Sequence, residues 1–154
     1  SLTKSKYVYD FGDTGHLTPL VKMHTLGSQF IPPATHSGGL RYHGMAPMVS
    51  HLKELGIIEA KAFGQKECFE AGIKFANVEG IVPAPEATHA VKGAMDAAIE
   101  CKKNGQSKTI LFNLCGHGHF DMQAYADYFD NKLAEDVYNE VEVNKALESL
   151  PKIA

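Results

Sequence analysis

The sequence predicts an α/β protein built around a parallel sheet with helices on both faces. Three observations carry that prediction. Along residues 46–150, stretches with apolar residues at helical spacing alternate with short extended-looking runs. One of those runs, Lys-Thr-Ile-Leu-Phe-Asn-Leu at 108–114, is as continuously apolar as a strand buried on both faces. Hydrophobic residues make up 44% of the 154, enough for the packed core of one domain or of a large piece of one.

The first 44 residues break the pattern. They are dense in Gly, Pro, His and Thr, with Pro32-Pro33 and Gly38-Gly39 interrupting any period, so they read as an irregular segment packed on something else. Order begins at Ala46. Pro47 suits a first helical turn, and Met48, Leu52 and Leu55 form a stripe ending at Gly56. Residues 57–63 alternate apolar and polar, as a strand does. Phe69, Ile73 and Ala76 mark a helix over 66–77, stopped near Gly80. Ile81-Val82 reads as a very short strand or turn before Pro83. The Ala-rich stretch 87–103 puts Ala90, Val91, Ala94, Ala97, Ala98 and Cys101 on one broad face, and Gly105 closes it. After 108–114, Gly116 and Gly118 make a turn, and helices follow at 122–129 and 143–150. These elements divide the chain into an irregular 1–44, an α/β portion 45–130 and a helical tail 131–154.

Charge and cysteine usage exclude several classes. The net charge is −3, with 15 basic and 18 acidic residues interspersed, so nucleic acid is a poor partner. Cys68, Cys101 and Cys115 form no CxxC pair and no even set, which argues for a reducing compartment, with cytoplasm the default. No apolar run is long enough to span a membrane.

In parallel sheets, ligands bind beyond the C-terminal ends of strands, so the loop from Cys115 to His119 is the first place to seek chemistry. There the strand delivers a small polar side chain, and two glycines allow close backbone approach. The plainer reading is a tight turn with a buried free thiol. Glu86 follows Pro-Ala-Pro at the start of the Ala-rich helix, where a carboxylate can serve a pocket or simply cap amides and meet the helix dipole. His117, His119 and Asp121 have the spacing of some dinuclear zinc sites, but Met122 stands where another His is expected, and two loop histidines is the better reading. His16, His24, His36 and His43 read as polar packing residues, and Tyr42 as a possible core aromatic. Cys68 and Cys101 read as apolar packing residues on helix faces.

Three ordered stretches point further: Gly38-Gly39-Leu40-Arg41-Tyr42-His43-Gly44, Gly80-Ile81-Val82-Pro83-Ala84-Pro85-Glu86 and Phe112-Asn113-Leu114-Cys115-Gly116-His117-Gly118. Together they resemble the C-terminal region of tryptophan synthase β-like enzymes, which use pyridoxal phosphate (PLP) and have the second fold type of PLP enzymes, a three-layer domain with a parallel sheet. The resemblance runs from about Tyr9-Asp10-Phe11-Gly12-Asp13-Thr14 to Asp121. It implies β-replacement of serine with indole to give L-tryptophan, a lyase activity. By residue, it implies Cys115 where the family has a Ser on the pyridine nitrogen. A thiol, like a hydroxyl, is neutral near pH 7, so the nitrogen stays mostly unprotonated, which suits β-elimination and β-replacement. It implies Glu86 as the catalytic and pocket-lining glutamate, with Gly39 and Gly116 beside the cofactor. Backbone carbonyls of Tyr42 and Gly44 match a site for a monovalent cation, K+ or Na+. Arg41, where the main β chain form has Asp, is similar to the divergent second class of β-like chains.

The family's Schiff-base lysine, general-base glutamate and glycine-rich phosphate loop have no match among these residues. That absence, and a start at Ser-Leu-Thr, lead to the expectation of a portion not competent alone, whose partners are the remainder of the β-like chain and a second copy in a homodimer. The rival readings are a portion of another PLP-dependent eliminase or deaminase, a non-catalytic subunit-interaction module, and a zinc hydrolase.

Overall fold

A computed structural model describes residues 2–134 and 139–152. The described residues fall into two compact units, one drawn from 1–34, 41–62 and 137–154, the other from 35–40 and 63–136.

In the first unit, strands β1 (Lys6–Asp10) and β2 (Val21–Thr25) pair antiparallel, with Val8 opposite Met23. Their turn is closed by polar side chains. The Asp13 carboxylate accepts from the Leu17 and Thr18 amides, and the Gly12 amide donates to Thr18 Oγ1. Backbone donation, chiefly from Leu17, holds the Asp13 carboxyl below its ordinary range. The strand ends carry buried polar groups that satisfy one another. Thr25 Oγ1 donates to Asp10 Oδ2 at 2.6 Å while accepting from the Gly27 amide. Helix α1 (Pro47–Glu54) is tied to β2 at His24, whose amide donates to Ser50 Oγ and whose ring lies between Ser5 Oγ (3.0 Å) and Glu54 Oε1 (2.9 Å). Residues 43–45 join the far side of β2 through Leu26 N to His43 O and Met45 N to His24 O. Leu26 and Phe30 pack on Ala146 and Val143, residues of helix α5 (Glu140–Glu148).

The second unit is a helical core. Helix α2 (Gln65–Glu79) begins with Glu67 accepting from the Gly64 amide and ends at Gly80, whose left-handed φ of 71° is the glycine stop expected there. Helix α3 (Pro85–Lys103) opens with Pro85 and Glu86 and closes with Lys102 and Lys103, complementing its dipole at both ends. Its buried Ala87, Thr88 and Val91 lie on the same helical face. Lys92 meets Asp96 at 2.6 Å and Glu67 at 3.5 Å, over the Phe63 ring. The Asp96 hydrogen bond raises its ammonium pKa against the pull of burial. Phe69 of α2 packs with Ala124 and Tyr125 of helix α4 (Met122–Phe129) and with Leu133. Among the described residues, no helix is long and apolar enough to cross a membrane.

The helices match the sequence expectation, with α5 starting three residues before position 143. Residues 135–138, 153 and 154 of the expected tail lie outside the described residues. The strands require correction. The described sheet is two-stranded and antiparallel, and it falls inside the stretch read as irregular. Five-residue strands whose buried side chains include Asp10, His24 and Thr25 show no apolar alternation. Residues 57–63 and 108–114 form no strand, and of 81–82, read as a very short strand or turn, Val82 flanks a single antiparallel bridge at Pro83. A parallel strand exists only through hydrogen bonds to neighbours, and the described residues of this unit supply none. The run 108–114 has no regular secondary structure, with Leu111 94% exposed and Phe112 set edge-on to Phe75.

Candidate functional site

The second unit brings two of the three motifs onto one another and adds the start of the first. Val82, Pro83 and Ala84 lie antiparallel to Gly116, His117 and Gly118, with Ala84 N donating to Gly116 O at 2.9 Å and Gly118 N to Val82 O at 2.7 Å. This pairing is tight because both glycines lack a Cβ. At Gly118 a Cβ would meet Pro83 O at 2.5 Å, and at Gly116 it would meet Ala84 Cβ at 3.1 Å. Pro83 opposes His117 and, having no amide proton, sits in the pairing without an orphaned donor.

From this pairing the chain enters α3, and Glu86 lies in its first turn. The Glu86 side chain reaches the short 3-10 turn Gly38–Leu40, where the Gly39 amide donates to Glu86 Oε1 at 2.9 Å. Thr88 is fully buried and donates to Pro85 O, and His89 Nδ1 lies 3.1 Å from the same oxygen. Cys115 stands one residue before the pairing and is exposed, which corrects the reading of a buried packing thiol. Cys68 is buried, as a packing residue should be.

Tyr125 is the residue that sequence reasoning missed. Its hydroxyl donates to Pro83 O at 2.6 Å, and its ring lies beside Gly118 and Phe69. Burial first, then the nearby Asp121 carboxylate, pushes its pKa up to about 12, so it remains a donor at any physiological pH. A tyrosine inside a short apolar helix carries no motif, so the sequence held no signal for this role.

Of the remaining candidates, Arg41, Tyr42, His43, Gly44 and His24 lie in the first unit, and His117 and His119 in the second. Tyr42 is 62% exposed, not a core aromatic, and Gly44 bridges to Thr25. Arg41 donates to the carbonyls of Pro33 and Pro32. His24 and His43 are buried with polar partners, as expected, His43 Nε2 lying 2.9 Å from Phe11 O. His117 and His119 face each other with ring centroids 4.6 Å apart, and His117 Nδ1 accepts from the His119 amide. Among the described residues no group of three His, Cys, Asp or Glu side chains is placed to hold a metal, which removes the geometric basis for the zinc reading.

No family model matches the chain. Individual relatives do. It is 59% identical over 133 residues to tryptophan synthase beta chain 2 of Methanosarcina mazei, covering 86% of this chain and 30% of the relative. The beta chain 2 of Aquifex aeolicus is 56% identical over 135 residues, covering 88% and 31%. The tryptophan synthase beta chain of Thermosipho africanus is 56% identical over 125 residues, covering 81% and 30%. Two of these three bear the designation expected from Arg41. At this identity the resemblance seen in three motifs extends over most of the chain, and the chain is homologous to a portion, about 30% of the length, of tryptophan synthase beta chains.

Proposed function

We propose that this chain is the C-terminal portion of a PLP-dependent lyase that joins indole to the three-carbon unit of serine, giving L-tryptophan. The observation that carries the reading is the convergence of Gly39, Glu86 and the Cys115–Gly116 segment through the Gly39–Glu86 and Ala84–Gly116 hydrogen bonds. These groups come from three distant parts of the sequence. The names of the relatives supply the reaction.

The donor set suits PLP. Cys115 offers an exposed thiol to a pyridine nitrogen, and nothing lies within 4 Å of where a Cβ of Gly38 would stand, leaving room beside Gly39. When bound, PLP supplies the electron sink for bond breaking at the substrate's α and β carbons. The chain's own residues would orient it. Cys115 would hold the ring nitrogen without protonating it, Gly116 and Gly39 would allow close approach, and Glu86, aligned by the Gly39 amide, would line the pocket with a carboxylate. The carbonyls of Tyr42 and Gly44 would bind K+ or Na+. The His43 carbonyl between them is taken by Leu26 N.

In this reading the fold is the second type of PLP enzymes. Residues 45–130 are cofactor-domain portion, 1–44 pack on the rest of the enzyme, and 131–154 form the tail. The Schiff-base lysine and phosphate loop come from the remainder of the β-like chain, the enzyme is a homodimer, and it works in the cytoplasm.

The test uses the protein that carries this sequence at full length. It is expected to bind one PLP per chain and to form tryptophan from serine and indole. The 154-residue chain alone, treated with PLP and borohydride, is expected to retain no pyridoxyl group at any single lysine. Pyruvate from serine with no tryptophan in the presence of indole would overturn the reading in favour of an eliminase.

A further inference from the structure

We propose that Tyr125 is a positioning residue for the candidate site: its hydroxyl fixes the Pro83 carbonyl and so sets the distance between the segment carrying Cys115 and the turn carrying Glu86. The consequence for PLP rests on the function proposed above; the positioning itself does not.

Residues 82–84 and 116–118 are paired by two backbone hydrogen bonds. Both of these bonds use Val82 and Ala84, so the carbonyl of Pro83, opposite His117, takes no part in them. Tyr125 Oη meets that carbonyl at 2.6 Å. The surroundings are shaped to admit it. A Cβ at Gly72 would stand 3.1 Å from the Tyr125 hydroxyl, and one at Gly118 would stand 3.1 Å from its ring. Neither helix α2 nor the Cys115–Gly118 segment could come as close with any other residue there.

Tyr125 also returns the chain to its own starting point. Asp121 N donates to Gly118 O, and Tyr125 N to Asp121 O, so α4 grows directly out of the paired segment. The Tyr125 hydroxyl then closes a loop from Gly118 through α4 back to Pro83. Within that loop lie the two bonds that place Gly116 against Ala84, one residue from Cys115 and two from Glu86. Opening it would let the two short segments slide apart, because an isolated two-bond pairing has little stability of its own.

Tyr125→Phe removes only the hydroxyl. Amide hydrogen exchange at Ala84 and Gly118 is expected to accelerate at least tenfold in this variant. Val91→Ala, in the same unit and matched for loss of Tm, is the control, and it should leave those two amides no faster than its global unfolding requires. In the full-length protein, Tyr125→Phe should raise the PLP dissociation constant several-fold where the Val91→Ala control does not. Unchanged exchange at Ala84 and Gly118, or acceleration equal to the control, overturns the positioning role. Absence of PLP binding by the unsubstituted full-length protein overturns the proposed function, and the exchange result still decides the role of Tyr125. Should Tyr125→Phe not fold, 3-fluorotyrosine placed at 125 alone provides a stronger donor and must slow exchange at both amides; no change would sink the proposal.

Discussion

At the scale of residues, Cys115 and Tyr125 make opposite demands on their surroundings. Cys115 is exposed, and its proposed work is to offer a hydrogen-bond partner to a pyridine nitrogen. In the full-length protein Cys115→Ser should keep most activity, since hydroxyl and thiol are both neutral near pH 7. Cys115→Asp should instead hold the nitrogen protonated and divert turnover towards transamination-like side products. Product partitioning and Tm measured on the same variants check this. Normal partitioning in folded Cys115→Asp would remove Cys115 from the cofactor. Tyr125, by contrast, is 5% exposed, and its raised pKa makes stability depend on alkaline pH. The folded state keeps the phenol proton up to about pH 12, while the unfolded chain releases it near the ordinary value of 10. The contribution is therefore whole below pH 10 and disappears as pH rises towards 12. Two pKa units correspond to roughly 2–3 kcal/mol. Urea unfolding of the parent should lose about that much between pH 9 and 12, beyond what Tyr125→Phe loses. Equal losses in the two proteins would show that the phenol ionises freely in the fold.

At the scale of elements, the helices were legible and the strands were not, for one physical reason. A helix satisfies its backbone internally, so its limits are written locally. Pro47 and Pro85 at first turns and Gly80 in a left-handed stop are examples. A strand depends on partners elsewhere in the chain. The run 108–114 has the composition of a central strand, yet the described residues offer it no strand partner, and it forms no strand. β1 and β2 do have partners, but their buried positions include Asp10, His24 and Thr25, which pay for burial through hydrogen bonds, Thr25 to Asp10 and His24 to Glu54, that no apolar pattern reveals. The candidate site divides the same way. Cys115, Gly116, Glu86 and Gly39 were named from motifs, and the structure joins Gly39 to Glu86 and Gly116 to Ala84. Tyr125 was invisible because its importance lies in what its hydroxyl meets, the carbonyl of a residue 42 positions away.

At the scale of the whole molecule, each unit has its own small core, yet large apolar side chains remain uncovered. In the second unit Leu111 is 94% exposed, Val78 74% and Ile99 49%. Scattered exposed apolar residues are ordinary, but a compact apolar run ending at a candidate ligand loop has the composition of an interior strand. Leu111 tests whether the run has a different environment in the longer protein. In the 154-residue chain, replacing a side chain that makes so little contact should change unfolding free energy by no more than about 0.5 kcal/mol in either direction. Leu111→Lys should also reduce binding of a hydrophobic dye, since it removes exposed apolar surface. In the full-length protein, where the proposed function places 108–114 within a parallel sheet, the same substitution buries a charge without a partner. There it should cost about 3 kcal/mol or more and lower the yield of folded protein. The comparison is made by urea unfolding of both proteins with and without the substitution. A loss in the short chain as large as in the long one would mean that Leu111 is already packed. Indifference in both would mean that the remainder of the protein leaves this run in water, and the three-layer arrangement proposed for it would fall.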